Sequence, residues 1–113
     1  MSRGAAVTGT AQVRLTLPQH LRNLANVERE LTLEVDRTSE GEVSLAAILS
    51  ALEARFPVLR GTLRDPTSGK RRPFVRFFAC QEDLSHQPMT APLPPTVVDG
   101  RELLIVLGAM AGG

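Results

Sequence analysis

Two segments in the first third of the chain alternate apolar and polar residues. In Gln12–Leu17, Val13, Leu15 and Leu17 share one face while Gln12, Arg14 and Thr16 share the other, and Pro18 ends the run. In Glu30–Asp36, Leu31, Leu33 and Val35 alternate with Thr32 and Glu34. A period of two is that of a half-buried strand. The pair is expected to form a hairpin whose loop, the mixed segment His20–Arg29, is longer than a tight turn. Leu21 and Leu24 in that loop are placed to cap one end of a core. The period then changes. Leu45, Ile48, Leu49, Leu52 and Phe56 recur at helical spacing, so one stripe faces inward. Ser44 stands at the N-cap position, the alanines at 46, 47, 51 and 54 favour helix, and Pro57 stops it. Ser50, Glu53 and Arg55 fall on the face expected to meet water.

The second half is read in the same way. Phe74–Cys80 predicts a third strand, with Val75, Phe77 and Ala79 on one face and Phe74, Phe78 and Cys80 on the other, interrupted by Arg76. Gln81-Glu82-Asp83 reads as a turn, and Leu84 as the start of a very short strand. Residues 85–95 hold Pro88, Pro92, Pro94 and Pro95 and are excluded from regular structure. Thr96–Val98 reads as a short extended segment, Asp99-Gly100 as a turn, and Glu102–Leu107 as the closing strand. Its run Leu103–Leu107 is continuously apolar, which predicts a central strand buried on both faces and parallel to the first. These elements make an α+β domain: a mixed four- to five-stranded sheet with one main helix packed on one face. Residues 1–11 are expected to be a disordered leader, 12–107 the domain, and 108–113 a flexible tail ending in two glycines.

Composition narrows the function. A chain of 113 residues suits one domain that needs no metal or disulfide to fold. The net charge of +1 gives no global pull toward nucleic acid or a membrane. The absence of Trp and Tyr removes the usual base-stacking platform. No apolar run has membrane-spanning length and no signal-peptide pattern opens the chain, so a cytoplasmic protein is expected. The single cysteine, Cys80, excludes an internal disulfide and reads as a small buried hydrophobe within its strand. His20 and His86 lack partners at ligand spacing, and no metal site is expected. Glu82 and Asp83 read as a solvated turn, not as an acid/base pair. Arg60, Arg64, Lys70, Arg71, Arg72 and Arg76 cluster against one acid, Asp65, and read either as a solvated loop or as a docking patch for an acidic partner.

The run Val97-Val98-Asp99-Gly100-Arg101-Glu102-Leu103-Leu104-Ile105-Val106 and the ending Ala109-Met110-Ala111-Gly112-Gly113 carry a resemblance. Together with the order of elements, they resemble the β-grasp (ubiquitin-like) fold and the ThiS/MoaD family of sulfur carrier proteins, over roughly Val13 to Gly113. Phe74 to Leu84 is similar to the family's third strand and turn, and Glu82-Asp83-Leu84 matches the thiocarboxylated carriers of cysteine synthesis. The resemblance implies a sulfur-carrying co-substrate that is not itself an enzyme. An E1-like adenylating and sulfurtransferase enzyme would use ATP to form an acyl-adenylate on Gly113, and a sulfur donor would displace AMP to leave a thiocarboxylate. No cofactor is bound by the carrier. Gly112, Ala111, Met110, Ala109 and Gly108 would thread the enzyme's channel, with Gly112 and Gly113 entering its site without side-chain clash. The acceptor would be an enzyme of molybdopterin, cysteine or thiamine type synthesis, or the large subunit of a molybdopterin synthase with this chain as the small one. A ubiquitin-like protein modifier and a β-grasp binding module are the alternatives. Phe74, Phe78 and Leu107 are candidates for a partner-binding patch and equally for core. The chain departs from the family at Gly108, where proline is usual, at Cys80, where asparagine is common, and in the longer loops 61–73 and 85–95.

Overall fold

A computed structural model describes residues 9–108. Five strands, β1 (Thr10–Thr16), β2 (Glu30–Asp36), β3 (Val75–Ala79), β4 (Glu82–Asp83) and β5 (Leu104–Gly108), form one sheet. Its order is β2-β1-β5-β3-β4. The helices are α1 (Gln19–Ala25), α2 (Leu45–Arg55) and the single turn α3 (Pro95–Val98), with a 3-10 turn at Pro57–Leu59. The alternating segments pair antiparallel as expected, with Val13 opposite Leu33 and Leu15 opposite Leu31. Strand β5 lies between β1 and β3, parallel to β1 with Leu15 opposite Leu104, and antiparallel to β3 with Phe77 opposite Val106.

One face of this sheet is dry. Val13, Leu15, Leu33, Phe77, Leu104 and Val106 meet Ile48, Leu49 and Leu52 of α2 in a single core. Ser44 caps α2 as its position predicts: the Ser44 Oγ accepts the Ala47 N–H at 3.2 Å. A second N-terminal amide, Ala46 N–H, donates to the Met89 carbonyl at 2.9 Å, and Leu93 N–H donates to the Val43 carbonyl at 2.9 Å. The proline-rich loop is therefore laid against the helix N-terminus and supplies an acceptor that a helix start cannot find within itself.

Several expectations are corrected. The loop 20–29 contains helix α1, which starts directly after Pro18 and ends at Asn26 in a left-handed conformation. Asn tolerates that conformation better than most residues, which makes it a helix stop. Of the two leucines there, Leu21 is buried and Leu24 is exposed. Thr96–Val98 is helical, because Pro95 at the first helical position presets the backbone. Strand β1 begins at Thr10 with Ala11 buried, earlier than the expected boundary at residue 12. Strand β5 reaches Gly108, which lies opposite Val75. The expected turn at 81–83 is displaced: Cys80 and Gln81 make it, and Glu82–Asp83 is the strand.

The strand expected to be buried on both faces is buried on one. Leu104 and Val106 face the core, whereas Ile105 and Leu107 are 38% and 49% exposed. The helices cover a single face of the sheet, so a central position gives β5 two hydrogen-bonded neighbours but only one packed layer.

The expected turn before β5 is confirmed in detail. Gly100 has φ +83°, and a Cβ there would meet the Gln12 carbonyl oxygen at 2.8 Å. Both the backbone angle and the approach of β1 require glycine. Gly100→Ala is expected to destabilise the domain by roughly 1–3 kcal/mol, read as a lower denaturant midpoint at unchanged slope; an unchanged midpoint would contradict the placement.

Candidate functional site

The chemistry expected of this chain is carried by Ala109, Met110, Ala111, Gly112 and Gly113, and these lie outside the described residues. What the structure places is the base from which they extend. Gly108 ends β5 beside Pro18 and His20: a Cβ on it would lie 3.4 Å from Pro18 Cγ and 3.5 Å from His20 Cε1. Pairing with β1 on one side and β3 on the other fixes the direction in which β5 ends. Phe74, directly before β3, is 45% exposed at this same end of the sheet.

The open sheet face continues from there. Ile105 and Leu107 project from it on β5 and Phe78 on β3, with Phe78 opposite Ile105. A groove of about 430 Å³ runs over this face, floored by Phe78, Leu103, Ile105 and Leu107. Of the proposed patch, Phe78 and Leu107 line this groove, while Phe74 stands apart from it. All three point away from the core, and the residue missed by the sequence argument is Ile105. Its signal was available: in a strand, positions 105 and 107 share a face, so exposure of Leu107 entails exposure of Ile105.

The far end of the groove is closed by the Cys80-Gln81 turn. Both residues have positive φ, 54° and 63°, and join Ala79 to Glu82 in a two-residue hairpin. This is the backbone of a type I′ turn, which favours asparagine and glycine, and it explains why asparagine suits position 80 better than cysteine. Cys80 is exposed, not a buried hydrophobe, and its Sγ lies 3.3 Å from Thr96 Oγ1. Beyond the turn, Asp83 accepts the Ser85 N–H at 2.8 Å and pairs with Arg76 at 3.2 Å. Hydrogen bonds from Ser85, hydroxyl before backbone, and the Arg76 charge hold its carboxyl below the ordinary 3.8. Asp83 is therefore a charged structural anchor rather than a proton donor.

The basic cluster of residues 60–76 is largely used up by the fold. Arg64 makes a two-pronged pair with Glu53, both bonds at 3.0 Å, so Glu53 is not on a solvated face as expected. Arg71 donates to the carbonyls of Ser85 and Val75 at 3.1 and 2.8 Å, and Arg72 to that of Gly61 at 3.0 Å. Arg64 ties the loop to α2, Arg71 ties it to β3, and Arg72 closes it on itself, which argues against a free docking patch. Among the described residues no cluster of side chains could hold a metal ion, and no helix is long and apolar enough to cross a membrane.

No protein-family model matches the chain, and no curated protein matches its sequence. Solved structures do. SAMP1 from Haloferax volcanii superposes with a TM-score of 0.67 at 18% identity, covering 90% of this chain and 99% of its own. CysO in the Amycolatopsis orientalis BexX/CysO complex gives 0.66 at 22% identity, covering 89% and 99%. CysO from Mycobacterium tuberculosis, described as an antigen, gives 0.62 at 25% identity, covering 87% and 99%. The chain has the ubiquitin-like β-grasp fold. Its structural neighbours include SAMP1 and CysO proteins, as the ThiS/MoaD resemblance in its sequence leads one to expect. They match almost end to end, so the long loops are accommodated within the β-grasp frame without displacing it.

The assignment of Phe78 to an open face and of Phe77 to the core gives a paired test. Phe77, fully buried, should cost roughly 3–5 kcal/mol when truncated to alanine. Phe78→Ala should cost a small fraction of that in the same urea titration. Equal losses would place Phe78 in the core and remove it from any docking surface.

Proposed function

We propose that this protein is a ubiquitin-like sulfur carrier, activated at Gly113 as an acyl-adenylate and loaded there as a thiocarboxylate. The observation that carries this reading is a β-grasp domain whose central strand β5 leads directly into Ala109-Met110-Ala111-Gly112-Gly113. The CysO neighbours support it, and one of them is a component of a complex with BexX, in line with a carrier that delivers to a partner enzyme.

The chemistry asks little of the carrier itself. A carboxylate is a poor electrophile. Adenylation by an E1-like enzyme, with ATP as co-substrate, converts it to a mixed anhydride from which AMP can leave. A sulfur nucleophile then attacks the Gly113 carbonyl carbon, the C–O bond to AMP breaks, and a thiocarboxylate remains. The carrier contributes a slim chain that can enter the enzyme's site and a rigid base that presents it. Side chains without bulk at 109, 111, 112 and 113 suit a narrow channel. Groups that stabilise the developing charge belong to the enzyme. The acceptor is a sulfur-incorporating enzyme, with cysteine, thiamine and molybdopterin types as candidates. The cytoplasm is the compartment in which this ATP-dependent chemistry is placed.

A second reading is favoured by the other neighbours: SAMP1 is a small archaeal modifier protein, as its Methanosarcina acetivorans counterpart is described. There the same activated Gly113 would be transferred to an amine and would form an amide bond to a lysine side chain.

Deleting Gly113 is expected to abolish ATP–pyrophosphate exchange by the cognate E1-like enzyme while leaving the melting temperature of the domain unchanged. Exchange that persists in the deletion variant would contradict activation at this residue. Covalent ladders on a blot for the tagged wild-type protein would favour the modifier reading.

A further inference from the structure

The fold leaves two cations of residues 60–76 unused. Arg64, Arg71, Arg72 and Arg76 are bonded as described, whereas the side chains of Arg60 and Lys70 make no hydrogen bond or ion pair among the described residues. Both are exposed. They differ in chemistry. A guanidinium stays protonated and is no nucleophile, whereas a lysine ε-amine can lose its proton and attack an acyl carbon. Lys70 is also the one lysine among the thirteen Lys and Arg residues of the chain. Every other basic side chain except the two histidines is an arginine, so the surface offers a single side-chain amine.

The backbone holds that amine outward. Residues 63–72 fold back on themselves: Arg72 N–H donates to the Leu63 carbonyl at 3.0 Å, and Asp65 N–H to the Lys70 carbonyl at 2.8 Å. Gly69, with φ +75°, turns the chain, and its N–H donates to the Asp65 carbonyl at 2.8 Å. Lys70 N–H donates to Ser68 Oγ at 3.2 Å. The acid of this loop is occupied elsewhere: Asp65 Oδ1 accepts the N–H groups of Thr67 and Ser68, both at 2.8 Å, and its Oδ2 faces Arg72 at 3.9 Å.

We propose that Lys70 is the acceptor at which one copy of this chain is acylated by the activated Gly113 of another. The inference rests on the modifier reading and names its target within the protein itself. The deprotonated ε-amine attacks the Gly113 carbonyl carbon of the acyl-adenylate held by the E1-like enzyme. A C–N bond forms, the C–O bond to AMP breaks, AMP leaves, and the amine's proton passes to solvent. The acceptor is a second copy because the donor's own tail is in the enzyme while it is activated. With one lysine per chain, successive additions to side chains give an unbranched line.

The test incubates the full chain with its E1-like enzyme and ATP and reads the products by intact mass and by tryptic peptides. The expected product weighs two chains less one water, and trypsin releases residues 65–71 joined at Lys70 to residues 102–113. Lys70→Arg is expected to lose this product while ATP–pyrophosphate exchange and melting temperature stay at wild-type values. Nα-acetyl-lysine amide, added as a free amine, separates this inference from the reading beneath it. If Gly113 acylates that probe and no linked pair of chains forms, the Lys70 assignment alone fails. If Gly113 is adenylated and acylates neither, the modifier reading fails with it. The assignment is also overturned if the linked pair persists in Lys70→Arg, if the linkage maps to an α-amine, or if it closes within one chain and gives a monomer lighter by one water.

Discussion

Strand β5 is hydrogen-bonded on both sides, to β1 in parallel and to β3 in antiparallel, and the rest of the structure depends on that pairing. A strand with two neighbours cannot slip by one residue without moving Leu104 and Val106 out of the core and Ile105 and Leu107 into it. The register is thereby fixed, and with it the point at which the chain leaves the sheet at Gly108. The turn at Asp99-Gly100 serves the same end, since the approach of Gln12 to Gly100 sets β5 on its path alongside β1. Helix α2 supplies the burial that stabilises the arrangement. Arg71 and Ser85 complete the outer edge of β3, where the two-residue β4 is too short to do so: Ser85 Oγ accepts the Phe77 N–H at 2.8 Å, and Arg71 takes the Val75 carbonyl.

Much of this was legible in the sequence wherever one physical rule acted alone. The alternation in β1 and β2 showed which face is buried because burial on one side leaves a period of two. Ser44 and Pro57 bounded α2 because capping and the missing proline N–H act locally. The misreadings occurred where two rules competed. A continuous apolar run reads as two-faced burial, and in β5 it reflects instead a central strand whose second face stays open. Cys80 follows five residues of strand, Val75–Ala79, yet the hairpin needs two positive φ values at Cys80 and Gln81, and the side chain follows the turn. The arginines of residues 60–76 looked like a surface charge cluster. Their carbonyl acceptors are distant in sequence, as with Ser85 for Arg71, and no spacing rule points to them.

The candidate site divides along the same line. The expectations for the tail fall on residues 109–113, outside the described residues. The open face was only half readable: Phe78 and Leu107 were candidates, but exposure is decided by which face the helices cover.

The measurement that bears most directly on the central claim is the intact mass of the protein after incubation with its E1-like enzyme, ATP and a sulfide source. The account predicts a species heavier by the difference between one sulfur and one oxygen atom, located to Gly113 by fragmentation and absent when ATP is withheld. A mass that stays unchanged under conditions in which the enzyme consumes ATP with a known carrier would contradict it.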